Sequence, residues 1–182
     1  MSRLSVYHQS LPEQPNKVLC HADDIARTLA EVGVGLEQWP VPAAVVLGLD
    51  VATLTNESQK LLAPLLAQGY VVDEVLSLKA ADAQGLVLRE RFADEFCLDG
   101  EHSSLFLAGR GLVSLHIEDY VYEVLCERGD LLTLPSGTKH WVDFGERANV
   151  AVIRLNKAAQ GVALQRTGDD IASQFSRLEE WT

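Results

Sequence analysis

Gly129-Asp130-Leu131-Leu132-Thr133-Leu134-Pro135-Ser136-Gly137-Thr138-Lys139-His140 is the stretch on which the fold turns. Gly129 supplies a tight turn, Leu131 to Leu134 make an apolar run of strand length, and Pro135 with Gly137 bends the chain before His140 opens the next strand. A histidine placed there can point between strands and offer a neutral imidazole to a metal ion. The plainer alternative is an ordinary half-buried histidine.

Outward from this stretch the same punctuation repeats. Leu105 to Ala108 and Leu112 to Ile117 flank Gly109-Arg110-Gly111, which reads as a hairpin; Val121 to Cys126 is parted from Leu131 to Leu134 by the turn Glu127-Arg128-Gly129-Asp130; Val150 to Leu155 is a further strand. Short strands joined by tight turns predict a small antiparallel barrel or jelly roll, because parallel pairing needs a long crossover each time. Upstream the signals are mixed. Ile25, Leu29 and Val32 recur at helical spacing after Asp23 and Asp24, and Gly33 follows as a stop. A second helix, opened by Thr55 or Asn56, passes through Leu61, Leu62, Leu65 and Leu66 to Gly69 with a kink expected at Pro64. Val71 to Leu78 reads as a strand, Ala83 to Phe92 as a third helix, and Thr167 to Leu178 as a closing helix.

The chain has 182 residues, about the size of one domain, and can bury a core without help from a disulfide or a metal. Its 15 basic and 26 acidic residues give 15 − 26 = −11, which argues against nucleic acid or an anionic membrane surface as a partner. Val41 to Leu49, the longest apolar candidate, is broken by Pro42 and is far short of a membrane span. Cys20, Cys97 and Cys126 show no C-x-x-C pairing, and the N-terminus lacks the apolar core of a signal peptide, so a cytoplasmic location is expected.

Gly129, five residues, Pro135, one residue, Gly137, two residues and His140 resemble the second motif of the cupin superfamily, whose later Asn position is Phe144 here. The segments Leu115-His116-Ile117, Val124-Leu125-Cys126-Glu127, His140-Trp141-Val142-Asp143 and Thr167-Gly168-Asp169-Asp170-Ile171-Ala172 are similar to those of the acireductone dioxygenases of methionine salvage. So are Trp39, Gly69-Tyr70 and Arg89-Glu90-Arg91-Phe92. The resemblance implies a mainly β protein, a cupin-type antiparallel jelly-roll barrel with several flanking α-helices. It implies a single cupin domain over 1–182, with a mixed part at 1–93 packing on the barrel, a barrel core at 94–160 and a tail at 161–182. It also implies an Fe(II)- or Ni(II)-dependent oxidoreductase. Such an enzyme adds O2 to a 1,2-dihydroxy-3-keto-5-methylthiopentene and cleaves it to a keto acid and formate.

The first motif departs from the family. Counting back from Gly109, the family's two His positions are Phe96 and Leu98 and its Glu position is His102, so only His140 remains of four implied ligands. Strand alternation would set Phe96, Leu98, Gly100 and His102 on one face and Glu95, Cys97, Asp99 and Glu101 on the other. His102 and His140 would then form at best a two-histidine site. A one-residue slip would instead bring Glu95, Asp99 and Glu101 inward, and a helix continuing through Leu88, Phe92 and Phe96 would make Phe96 plain core. By the resemblance, Glu101 matches in type an acid that takes a proton from substrate. Ser104 replaces a substrate-steadying arginine, Val162 replaces a tryptophan near the pocket, and Arg154 is retained. Val142 completes the expected pocket. His116, between Leu115 and Ile117, is expected to face solvent.

Three readings are open: dioxygenase chemistry on a rebuilt site of His140 and His102, with or without Glu101 or Glu95; a metal-free cupin that binds a small molecule in the barrel or regulates another protein; and a barrel used purely for assembly. Oligomerisation is compatible with any of them.

Overall fold

The computed structural model describes residues 2–80, 82–157 and 163–181. Twelve strands and three α-helices follow in chain order among them: β1 (Arg3–His8), β2 (Pro15–Leu19), α1 (Ala22–Ala30), β3 (Gly35–Gln38), α2 (Val51–Ala67), β4 (Val71–Leu78), α3 (Gln84–Phe92), β5 (Phe96–Cys97), β6 (His102–Ala108), β7 (Arg110–Ile117), β8 (Tyr120–Glu127), β9 (Asp130–Leu134), β10 (Lys139–Asp143), β11 (Val150–Asn156) and β12 (Gln165–Arg166). They make two antiparallel sheets. The larger runs β12-β5-β10-β7-β8-β1-β2 and the smaller β3-β9-β6-β11-β4. The protein is mainly β, as its sequence predicts. The strands of residues 1–93 are hydrogen-bonded into both sheets.

The alternation of side chains explains the layering. Along β6, Phe106 points into the space between the sheets, where Phe96, Leu98, Leu132, Leu134, Phe144 and Val152 also pack. Leu105 and Leu107 point the other way, onto Leu54, Leu62 and Leu65 of α2. Burying each Phe or Leu of this kind contributes about 1.5–3 kcal/mol, and each layer gathers many of them.

Three local expectations are corrected. Gly109-Arg110-Gly111 is not a hairpin: β6 belongs to the smaller sheet and β7 to the larger, so the chain crosses between sheets there. Gly109 has φ +74°, and a Cβ on it would lie 2.1 Å from the Asn149 carbonyl oxygen, so this crossing admits only glycine. The chain crosses back between β8 and β9, and the hairpin is β7–β8, turned by Glu118-Asp119 with Glu118 at φ 55°. Second, α2 begins at Val51 rather than near Thr55, because Asp50 caps it by accepting a 2.8 Å hydrogen bond from the Thr53 amide; it continues through Pro64 as one helix. Third, residues 167–178 form no α-helix. Short 3-10 turns at Ile171–Gln174 and Leu178–Trp181 seat Ile171, Ala172 and Phe175 on Tyr7, Val121 and Trp141. Val162 lies outside the described residues.

The open choices at 95–102 are resolved. The third helix ends at Phe92, Phe96 starts β5, and Phe96 pairs with His140 across β5 and β10. The one-residue slip does not occur.

Candidate functional site

A cavity lies between the sheets, walled by Phe92, Phe96, Phe106, Val113, Leu132, Leu134, Val142, Phe144 and Val152, with His102, Ser104, His140 and Arg154 as its polar members. The space within it open to a water-sized sphere is about 30 Å³, enough for roughly two waters. His140 reaches it from β10 in the larger sheet and His102 from β6 in the smaller, with ring centroids 5.2 Å apart. Phe96 lies 4.3 Å from the His140 ring and Leu98 packs in the same core layer. The structure brings Phe96, His102 and His140 together at the cavity, whereas Leu98, expected in the pocket, packs in the adjoining core and does not line it.

Both imidazoles are 95% buried or more. The His140 Nδ1 lies 2.8 Å from the Thr138 carbonyl oxygen, and the His102 Nδ1 lies 3.4 Å from that of Gly100. Burial is the main cause that lowers the His102 pKa to about 4; burial and then the neighbouring His102 lower that of His140 to about 3. Both rings are neutral near pH 7. Nε2 of His102 is buried with no hydrogen-bond partner.

Arg154 sits opposite Ser104 in the β6–β11 ladder. Its guanidinium donates to Glu74 at 2.8 Å and lies 4.9 Å from the centre of the Phe92 ring. Glu74 also accepts from Arg91 at 2.7 Å, so Arg154 is a pinned cation. Glu101 immediately precedes β6 and does not line the cavity. Tyr70 donates its hydroxyl hydrogen to the Glu101 carboxylate and Lys157 pairs with it at 2.9 Å; the two hydrogen bonds, Tyr70 first, hold its pKa below the usual value. Among the described residues no carboxylate lines the cavity.

Sequence reasoning missed Phe92, Phe106 and Phe144 as cavity walls; the replacement of the motif's Asn by Phe144 was the one signal. It also misplaced His116, which was expected in solvent, and gave no sign that Glu95, on the face opposite Phe96, is buried. The Glu95 Oε2 lies 2.5 Å from Nδ1 of His116, whose Nε2 is 3.0 Å from the Gln9 side-chain oxygen, and Thr167 donates its hydroxyl to the Glu95 Oε1 at 2.6 Å. The Glu95 side chain is fully buried and that of His116 is 9% exposed. These two residues do point out of the barrel, but the segment through Thr167 and Asp169 covers them. Potential ligating atoms of Glu95, His116 and Asp169 lie within 4.8 Å of one another.

The jelly-roll fold agrees with what comparison with known proteins finds. A family model described as the ARD/ARD' family matches residues 47–163. An acireductone dioxygenase of Pseudomonas paraeruginosa is 46% identical over 184 residues, covering 99% of this chain and 100% of the relative. The chain belongs to the acireductone dioxygenase family. An acireductone dioxygenase of Stutzerimonas stutzeri is 47% identical over 181 residues, with the same coverage. Among solved structures, an acireductone dioxygenase from Bacillus anthracis, described as carrying a cadmium ion in its active center, superposes with a TM-score of 0.74 at 21% identity, covering 88% of this chain and 95% of that one. That likeness supports the cupin jelly roll. No helix among the described residues is long and apolar enough to cross a membrane.

Proposed function

We propose that this chain keeps the acireductone dioxygenase fold without the family's iron- or nickel-dependent oxygenation, and that its barrel serves as a cytoplasmic pocket for a small ligand. The observation that carries this is the donor set. Six-coordinate Fe(II) or Ni(II) needs several converging nitrogen and oxygen ligands, with positions left open for substrate. The cavity supplies two imidazoles and one hydroxyl, and hydrocarbon from Phe96 and Leu98 stands where the family resemblance puts two more histidines. The residues present do not fit the family's metal. A water-sized space of about 30 Å³ is also too small for a six-carbon acireductone. Three free cysteines, Cys20, Cys97 and Cys126, support a reducing compartment. The competing reading, oxygenation on a rebuilt His102–His140 centre, draws on the unpartnered Nε2 of His102.

Elemental analysis of protein purified without chelator, with acireductone turnover measured after loading with Fe(II) or Ni(II), decides between them. The expected result is no stoichiometric iron or nickel at the barrel and no turnover. Stoichiometric iron or nickel that is lost in His140→Ala but kept in Glu95→Gln would place the ion in the barrel and restore the dioxygenase reading.

A further inference from the structure

Outside the barrel, the His116 ring is faced by more oxygen acceptors than a neutral imidazole can serve. The Gln9 side-chain amide donates to Asp119 at 3.1 Å, so it is the Gln9 oxygen that faces Nε2 of His116 at 3.0 Å, and the ring donates there. A neutral ring then turns its Nδ1 lone pair on the Glu95 Oε2, 2.5 Å away, and two acceptors that close need a proton or a metal ion between them. The Glu95 carboxylate is fully buried, and among the described residues its only ion pair is with His116. Asp169 brings a second carboxylate, and potential ligating atoms of all three residues lie within 4.8 Å of one another. We propose that Glu95, His116 and Asp169 bind one Zn(II) ion on the outer side of the barrel. This site is separate from the cavity between the sheets, so the inference stands whatever that cavity holds.

Charge, ligand type and support select this ion. The two carboxylates carry two negative charges, which a divalent ion cancels and a single proton on His116 does not. Lys139 lies across the β7–β10 ladder from His116, yet its exposed ammonium pairs with neither carboxylate among the described residues. One nitrogen and two oxygens suit four-coordinate Zn(II), with water in the fourth position on the exposed Asp169 side, whereas Mg(II) and Ca(II) favour six or more oxygens. A metal-ligating histidine ordinarily donates its other N–H to a fixed acceptor, which sets its tautomer and orientation, and the Gln9 oxygen is that acceptor here. Thr167 holds the second Glu95 oxygen at 2.6 Å and the Ile171 amide donates to one Asp169 oxygen at 3.0 Å, so each carboxylate is steadied at one oxygen and offers the other. Zinc bonds of about 2.0–2.1 Å set tetrahedral ligand atoms roughly 3.3 Å apart, so Glu95 and His116 part by about 1 Å and the exposed Asp169 side chain closes in.

The test uses full-length protein carrying Cys20→Ser and Cys97→Ser, which removes the two thiols that are not fully buried. It is stripped with chelator, dialysed, and titrated with Zn(II) by calorimetry at neutral pH. The expected result is one equivalent bound, an X-ray absorption spectrum with imidazole nitrogen and oxygen but no sulfur neighbours, and affinity unchanged in His140→Phe. Asp169→Asn keeps an acceptor for the Ile171 amide at an exposed position, so it removes the ligand's charge and leaves the fold. It is expected to lower affinity roughly 100-fold or more, since a ligand outweighs the outer-shell partners whose loss costs up to about that much. No zinc bound, sulfur neighbours, unchanged affinity in Asp169→Asn, or loss of binding in folded His140→Phe overturns the proposal. Should His140→Phe not fold, nitrogen NMR of the parent with Cd(II) serves: the Nδ1 resonance of His116 moves, and movement confined to His102 and His140 sinks the inference.

Discussion

Phe96 stands where the family resemblance puts a metal-binding histidine, and its ring is 1% exposed, 4.3 Å from His140 and 5.7 Å from Phe92. The replacement is thus built into the core. This much was legible in sequence, because strand alternation has period two and fixes which of residues 95–102 face together once one of them is anchored. The proposed absence of the family's metal also predicts that a site can be built at these positions. Phe96→His, Leu98→His and His102→Glu together are expected to create affinity for Ni(II) that is absent in the parent, measured by calorimetry at neutral pH. Removing large apolar side chains from a packed core costs roughly 2–5 kcal/mol each, so the variant is expected to unfold at lower denaturant concentration while still binding. A folded triple variant with no Ni(II) affinity would show that these positions do not converge as the Phe96–His140 pairing indicates.

At the scale of elements, the central strands were readable and their partners were not. The apolar runs at 105–108, 112–117, 121–126, 131–134 and 150–155 all lie within strands, but which sheet each enters depends on long-range pairing that no local pattern encodes. Residues 95 and 116 illustrate the same limit. Their outward direction follows from alternation, yet their burial comes from residues 165–175, which arrive some fifty to eighty positions later to cover that face. Glu95 fastens that cover: its carboxylate takes the Thr167 hydroxyl and the His116 ring, and its backbone oxygen takes the Thr167 amide at 3.2 Å. Glu95→Ala is expected to lower stability by about 1–3 kcal/mol, since His116 and Thr167 lose a buried acceptor. It should also speed amide hydrogen exchange at Gln165–Arg166 and Ile171–Gln174 ahead of the central strands. Uniform exchange, with those segments protected as in the parent, would mean that the apolar contacts of Ile171 and Phe175 alone hold the cover.

For the whole molecule, the two sheets meet at a pair of neutral histidines, and that makes the fold sensitive to acid in a defined window. In the unfolded chain each histidine takes up a proton near pH 6.5; in the folded protein burial holds His102 neutral down to about pH 4 and His140 down to about pH 3. A folded pKa below the unfolded one for a base means that the unfolded state binds more protons as the pH drops, so stability is full above pH 6.5 and declines below it. The decline continues until the folded state protonates as well. Carboxylates held low in the fold, such as Glu101 and Glu179, act only below the ordinary carboxylate range, but Asp130, raised by burial to about 6, takes up a proton in the folded state and offsets one histidine between roughly pH 6 and 4.5. Urea unfolding of the parent across that interval is expected to lose on the order of 1.4 kcal/mol per pH unit, two histidines less one aspartate, and His140→Phe to lose close to none, because a phenylalanine ring fills the site without titrating while His102 and Asp130 offset each other. The comparison reads the buried pair directly: parallel curves for parent and variant would mean that His140 is protonated in the folded protein at pH 5, and that water reaches it through a cavity wall more open than Phe92, Phe96 and Phe144 make it.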